Sequence, residues 1–376
     1  MTPLGQQLDF QQLSDLLDTV FRPAPGEGSL ALLTDVPSGN DADNAEWAER
    51  RQICNEWHAL LQNNLTRLPF TDVKLYTYAS VDSNNNDLPE TLQLILKDGS
   101  EGETVSLREV LTDASVVIAM TEFSATAPLK LLARELRFRG ATMPGFSRAM
   151  IPSLSLEYEK IHEKVVELKK RMDQATEIDI LLKTEQGEYQ VCFDTRFREG
   201  HASGGLIREK GMVGNLPSGE AYIVPYEGER EGIPSRSAGT LPVQFGNEIV
   251  LYEIRQNHAG RVTSSGVQSD KEQQALSEEP AYGNIAEIGI GVLGEWGVKA
   301  CGSTLLDEKL GLHVAFGRSD HFGGVTGVSS FRDSRRVVHI DRVYVPSVQP
   351  DIRVARVSFV YGEAREDIIL NDALLV

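Results

Sequence analysis

Residues able to hold a metal or move a proton crowd into the second half of this 376-residue chain. His339-Ile340-Asp341 lies in an apolar run (Val337, Val338, Ile340, Val343, Tyr344) that reads as a strand. Side chains alternate along a strand, so His339 and Asp341 share one face. An imidazole beside a carboxylate on a rigid element can ligate one divalent metal, or the carboxylate can bridge two. For an isolated H-x-D, the plainer reading is a His paired with its neighbouring Asp at a sheet edge. Upstream, LLDEKLGLHVAFG sets Glu308 and His313 on the two sides of a Gly-containing turn that feeds an apolar strand. NIAEIGIG sets Glu287 among small and apolar residues, and NLPSGE sets Glu220 just before an apolar run at 221–224. A Glu among apolar neighbours is expensive to bury ionised unless it is paired or coordinates a metal. Singly, each could pair with Arg318 or Arg342. Together they supply four carboxylates and two imidazoles, the ligand count of a dinuclear site. Of the other histidines, His58 and His162 fall in helical stretches and His201 and His258 in polar loops, with no ligand set nearby, while His321 joins His313 and His339 in the final quarter. No H-E-x-x-H occurs, so the single-zinc helix design is absent.

Two kinds of element would position these residues. Residues 30–36 (LALLTDV), between Gly28 and Pro37-Ser38-Gly39-Asn40, predict a buried strand ending in a loop. Trp47, Ile53 or Cys54, Trp57, Leu60, Leu61 and Leu65 form a helical stripe over 45–65. Strands follow at 73–78 and 115–120, then a helix at 127–138 with Gly140 as its stop. Alternating strands and helices predict an open α/β sheet in residues 1–150. Leu154, Tyr158, Ile161, Val165, Leu168 and Met172, spaced by three and four, predict a long amphipathic connecting helix over 151–175, opened by Pro152. Short alternating runs at 178–183, 188–193, 221–224, 248–254 and 337–345, punctuated by Gly187 and Gly204-Gly205, predict a β-rich α+β domain over 176–376 with few helices. That domain carries the whole candidate metal site. The composition, 41% hydrophobic over this length, suits two domains with substantial cores. A net charge of -18, from 37 Lys+Arg against 55 Asp+Glu, excludes nucleic-acid binding through a general basic surface. Cys54, Cys192 and Cys301 are odd in number and show no C-x-x-C, which predicts neither disulfides nor a zinc ribbon and points to a reducing, cytoplasmic setting. The first 21 residues carry Asp9, Asp15 and Asp18 and lack the pattern of a secretory signal, and no apolar window approaches the roughly 20 residues of a membrane span.

The segments NLPSGEAYIVP, GNIAEIGIG, LLDEKLGLHVAFGR and HID, in this order, resemble the signature of the aminopeptidase T family of thermophilic dinuclear metalloaminopeptidases, also described as leucyl aminopeptidases. The likeness covers about residues 215–341, with a weaker echo at Ala141-Thr142-Met143-Pro144-Gly145. Matched residue by residue, the family's metal ligands fall on Glu220, Glu287, Glu308, His313, His339 and Asp341. The resemblance implies two divalent ions (Zn, Co or Mn), a peptide or small aminoacyl substrate cut at its N-terminal residue by a bridging water, and a homodimer. Two features depart from the family. Gly323-Gly324 and His339 are separated by an additional polar stretch with Arg332, Asp333, Ser334, Arg335 and Arg336, a remodelled loop. The family's catalytic tyrosine follows shortly after H-x-D, which nominates Tyr344, although strand period sets Tyr344 opposite Asp341 unless a bulge intervenes.

Two rivals follow from the same resemblance. Some proteins similar to aminopeptidase T are mononuclear iron dioxygenases that open dihydroxypyridine rings and carry a histidine where this chain has Glu287. His313, His339 and Asp341 could form their 2-His-1-carboxylate site. Retention of Glu220, Glu287 and Glu308 favours the hydrolase. Alternatively, a degenerate, non-catalytic member would pair its carboxylates with Arg318 and Arg342 and serve as an interaction module. Gly289-Ile290-Gly291-Val292-Leu293-Gly294 satisfies the dinucleotide fingerprint, but it lies in the β-rich half and no long helix opens after it. Asp82, Asn84, Asn86 and Asp87 resemble the start of a calcium loop, yet Asp87 stands where Gly is needed and Gln93 where Glu is needed, so a solvated loop is expected.

Overall fold

The computed structural model describes residues 7–39, 42–81, 83–333 and 336–376. Asn40, Asp82, Ser334 and Arg335 lie outside the described residues. Contacts divide the chain into two units, Met1–Lys160 with Gly205–Ser218, and Ile161–Gly204 with Gly219–Val376.

The first unit is built on a seven-stranded sheet in the order Val213–Asn215, Arg139–Thr142, Ala114–Met120, Ser29–Val36, Asp72–Ala79, Thr91–Ile95, Glu101–Ser106. The first five are mutually parallel and the last two antiparallel. The central strands are continuous apolar runs because both faces of a parallel sheet are covered; Ser29–Val36 is buried at every position but its last. Helix Ala45–Gln62, capped by Asn44, buries Trp47, Ile53, Cys54, Trp57 and Leu61 of the predicted stripe, while Leu60 is half-buried and Leu65 falls past the helix end in the 3-10 turn Leu65–Arg67. Helix Thr126–Leu136 ends on Arg137 in the left-handed region (φ 70°), not at Gly140. Gly140 lies inside a strand, where a Cβ would stand 3.0 Å from the Val213 side chain, so it admits the neighbouring strand.

Pro152 opens no α-helix. It sits inside the 3-10 segment Arg148–Ser155, and the α-helix Tyr158–Gln174 begins after it, with Tyr158, Ile161, Val165, Leu168 and Met172 buried.

The second unit holds two antiparallel sheets. The larger runs His258–Val262, Glu248–Arg255, Ala238–Phe245, Gly187–Asp194, Glu177–Thr184, Arg353–Tyr361, Ala364–Leu370, Ala373–Leu374. The smaller runs His339–Tyr344, Leu312–Gly317, Ile285–Gly291, Glu220–Ile223, His201–Ser203. One face of the smaller sheet packs on the larger, with Phe316 against Tyr252 at 5.1 Å between ring centroids. Helix Val267–Glu278 was not expected. It buries only Ser269, Glu272 and Leu276, so hydrophobic periodicity carries almost no signal there. An α/β unit and a β-rich unit are the fold class the sequence predicts.

Candidate metal centre

The smaller sheet of the second unit has a second face, opposite the one packed on the larger sheet, and the ladder registers it across strands. Glu287, Ala315 and Asp341 form one row; Tyr222, Gly289, His313 and Val343 form the next; Glu220 pairs with Gly291, and Gly317 with His339. Period two therefore gathers five of the six expected ligands on this face. The sixth, Glu308, comes from the 3-10 turn Glu308–Leu310. His313 Nε2 lies 3.2 Å from Glu287 Oε1 and 3.4 Å from Glu220 Oε2. His339 Nε2 lies 3.5 Å from Glu287 Oε2 and 3.7 Å from Asp341 Oδ1. Donor atoms of Glu220, Glu287 and His313 all fall within 4.8 Å of one another.

Two glycines make room for this arrangement. A Cβ on Gly289 would stand 2.0 Å from His313 Nε2, and one on Gly291 would stand 2.0 Å from the Lys309 carbonyl carbon. The glycines of the G-x-G-x-x-G string thus admit an imidazole and a turn, and only the 3-10 segment Leu293–Trp296 follows them.

Lys309 is the member of this group that sequence reasoning missed. Its side chain is 1% exposed, and its ammonium donates to Glu220 Oε1 at 2.5 Å and to Glu308 Oε1. A buried ammonium is tolerated only when its charge is matched, and here two carboxylates match it. Burial alone would lower the Lys309 pKa, but Glu220 and Glu308 raise it above its ordinary value. Glu308 rises to about 8 through burial and the nearby Glu220 and Asp341 charges, against the pull of Lys309. Burial would likewise lower both histidines. For His313 the bond to Glu287 and the charges of Glu220 and Asp341 prevail and lift it to about 9. For His339 the Asp341 charge and Glu287 lift it to about 10. Burial would raise Glu287, yet its bonds to the two histidines hold it below the usual carboxylate range.

The surroundings fix the orientation of these groups. His339 Nδ1 donates to the Arg318 carbonyl at 2.8 Å, which turns Nε2 toward the carboxylates. The loop that supplies this carbonyl is gathered by Glu227, which accepts from Ser319 Oγ (2.8 Å), Thr326 Oγ1 (2.7 Å), the Val325 N–H (2.6 Å) and Asn284 Nδ2 (2.7 Å). His201, read as a polar-loop residue, instead stands on a strand of the sheet, stacked on Tyr222. Phe322 is edge-on to both Tyr222 and His339. His321, beside Phe322, has its pKa pushed down to about 3 by burial and by His339 and Arg318.

Tyr344 is not brought to the cluster. No bulge interrupts its strand, so it leaves the opposite face, and its hydroxyl donates to the Pro242 carbonyl at 2.8 Å. The two arginines proposed as carboxylate partners are also engaged elsewhere: Arg318 with Asp320 at 2.6 Å, and Arg342 with the Tyr282 hydroxyl and over the Phe245 ring. His258 bonds the Pro280 carbonyl. In the calcium-like loop, Asn84 accepts from the Ser124 N–H and Asn86 donates to the Val81 carbonyl, which makes it a tied loop.

The donor set fits divalent metal. Glu220 Oε2 is buried without a hydrogen-bond partner and faces His313 Nε2, and the carboxylate and imidazole donors gathered beside it are of the kinds that divalent metals take. Fold and centre together define an α/β unit joined in sequence to a β-rich unit whose smaller sheet carries a buried group able to bind a metal ion. The same fold is seen in the 2,5-dihydroxypyridine dioxygenase of Pseudomonas putida KT2440, at TM-score 0.64 and 13% identity over 98% of both chains. It is seen too in wild-type AmpT of Thermus thermophilus, at TM-score 0.55 and 13% identity over 97% of this chain and 99% of that one. The chain therefore has an aminopeptidase-T-like fold. No family model matches it, and no curated protein sequence does. Among the described residues, no helix is long and apolar enough to cross a membrane.

Proposed function

We propose that this chain is a metal-dependent aminopeptidase that removes N-terminal residues from peptides or small aminoacyl compounds at a centre of two divalent ions, Zn, Co or Mn. The observation that carries this reading is the placement of Glu287, whose two oxygens face different histidines, Oε1 toward His313 and Oε2 toward His339. A carboxylate so placed suits a bridge between two ions. Glu220 and His313 would hold one ion, His339 and Asp341 the other, and Glu308, steadied by Lys309, would complete the set. Bound ions would supply a water acidic enough to ionise near neutral pH and a Lewis acid for the scissile carbonyl. The substrate's free α-amino group, whose reference pKa is about 7.7–8.0, can lose its proton and would then ligate one ion, which would select terminal over internal bonds. The chain's own residues do the rest. Burial of Glu220, Glu287 and His313 keeps bulk water from that corner. A homodimer and a cytoplasmic location belong to the same proposal.

Elemental analysis of the purified protein tests it, with two Zn, Co or Mn per chain expected; a single iron would install the ring-opening dioxygenase instead. Glu287→Ala should abolish divalent-dependent hydrolysis of aminoacyl substrates and leave the far-ultraviolet dichroism unchanged. Full activity in that variant would sink the assignment.

A further inference from the structure

Tyr222 lies two residues from Glu220 on the strand Glu220–Ile223, so the two side chains leave the same face. Across the ladder Tyr222 pairs with Gly289, and Gly289 with His313. The residue between the phenol and the imidazole in that row thus has no side chain. The Tyr222 ring is clamped, stacked on His201 at 5.0 Å and 24° and met edge-on by Phe322 at 5.0 Å. It is 8% exposed, and among the described residues its hydroxyl has no hydrogen-bond partner. Buried tyrosines normally find one. In the same unit the hydroxyls of Tyr252 and Tyr282 donate to Glu272, and that of Tyr344 to Pro242. Tyr222 therefore presents a rigid, unspent donor beside the metal-binding group, in the role for which the sequence nominates Tyr344.

We propose that the Tyr222 hydroxyl is a catalytic residue of the aminopeptidase reading, on which this inference rests, and that it hydrogen-bonds the oxygen of the scissile carbonyl as negative charge builds there. The oxygen of the attacking water bonds to the carbonyl carbon, and its proton passes to a carboxylate of the cluster. The carbonyl π pair moves onto oxygen, where the Tyr222 O–H meets it without giving up its proton. The carbonyl then re-forms, the C–N bond breaks, and the leaving nitrogen takes the proton held by the carboxylate.

Tyr222→Phe keeps the stacked ring and deletes only the donor. In zinc-loaded protein, kcat for an aminoacyl substrate should fall about 100-fold, as for loss of one oxyanion donor, with KM changed less than about two-fold. Zinc content should stay the same. Calorimetry supplies a readout independent of turnover. A phosphinate dipeptide analogue, which presents the tetrahedral oxyanion, should bind Tyr222→Phe at least about ten-fold more weakly than wild type. Isoamylamine, which presents no such oxygen, should bind both equally. Unchanged kcat and phosphinate affinity would overturn the role of Tyr222 alone, as would a loss of activity accompanied by lost zinc, which marks a structural role. A zinc-loaded wild type that binds neither compound and hydrolyses no aminoacyl substrate would overturn the aminopeptidase reading and Tyr222 with it.

Discussion

Lys309 sets how two carboxyl groups of the centre are paired before any metal arrives. Its ammonium bonds both Glu220 and Glu308 and so holds the two carboxyl groups together. Lys309→Met should destabilise the metal-free protein by about 3 kcal/mol, the lower end for removing one partner of a buried ion pair. Urea unfolding measures this, and the loss should shrink when zinc is present, because a bound cation supplies the missing charge. In sequence, a Lys between Glu and Leu in a turn reads as solvated surface, and only the folded turn reveals its burial. The histidines give a pH dependence. His313 and His339 rise above the ordinary value of about 6.5, to about 9 and about 10. In the metal-free protein their contribution to stability is full below about pH 6.5 and is lost as pH climbs through about 9 to 10. Zinc competes with those same protons, so zinc affinity should move the other way and rise with pH over that window. Competition against a chromophoric chelator at several pH values checks the sign, and a flat affinity would contradict it.

At the scale of the element, the site depends on one antiparallel sheet and one braced loop. Glu227 is the brace: it gathers Ser319, Val325 and Thr326, and so fixes the Arg318 carbonyl that orients His339. Glu227→Gln should weaken zinc binding about 10- to 100-fold, the usual effect of losing a group that orients a ligand. Zinc retained after dialysis against a graded chelator series measures it, and retention equal to wild type would remove Glu227 from this role. Much of this layout was legible from strand period alone. It put His339 and Asp341 on one face, and it set Tyr344 on the other, a warning the structure upholds. Apolar neighbours likewise exposed Glu220 and Glu287 as carboxylates in need of partners. What local pattern could not show are relations across the ladder. Gly289 and Gly291 matched a nucleotide fingerprint only in spelling, and their use stayed hidden because the imidazole and turn they accommodate arrive from residues 308–313. Tyr222 read as one more member of an apolar run, because its partners His201 and Phe322 are distant in sequence. Helix Val267–Glu278 escaped notice because the residues it buries include Ser269 and Glu272.

For the molecule as a whole, the charge of -18 has two components with different responses to cations. Most of the 55 acidic residues repel one another across solvent, where any salt screens them. The buried centre, on the proposed reading, would answer only to ions that fit it. Two bound divalent ions would bring the chain to -18 + 4 = -14. All six proposed ligands lie in the second unit, Ile161–Gly204 with Gly219–Val376, and none in the first. A ligand that binds only folded protein adds about 2.7 kcal/mol at 100 times its dissociation constant. For a unit of roughly 200 residues, that is a rise of about 5–10 °C in the thermal midpoint. Zinc should therefore raise the midpoint by this amount over chelator-treated protein, while potassium chloride at matched ionic strength should not. If the two units melt separately, only one transition should move, and Glu287→Ala should lose the shift. A zinc effect that potassium chloride reproduces, or that survives Glu287→Ala, would mean that surface screening and not the centre accounts for it.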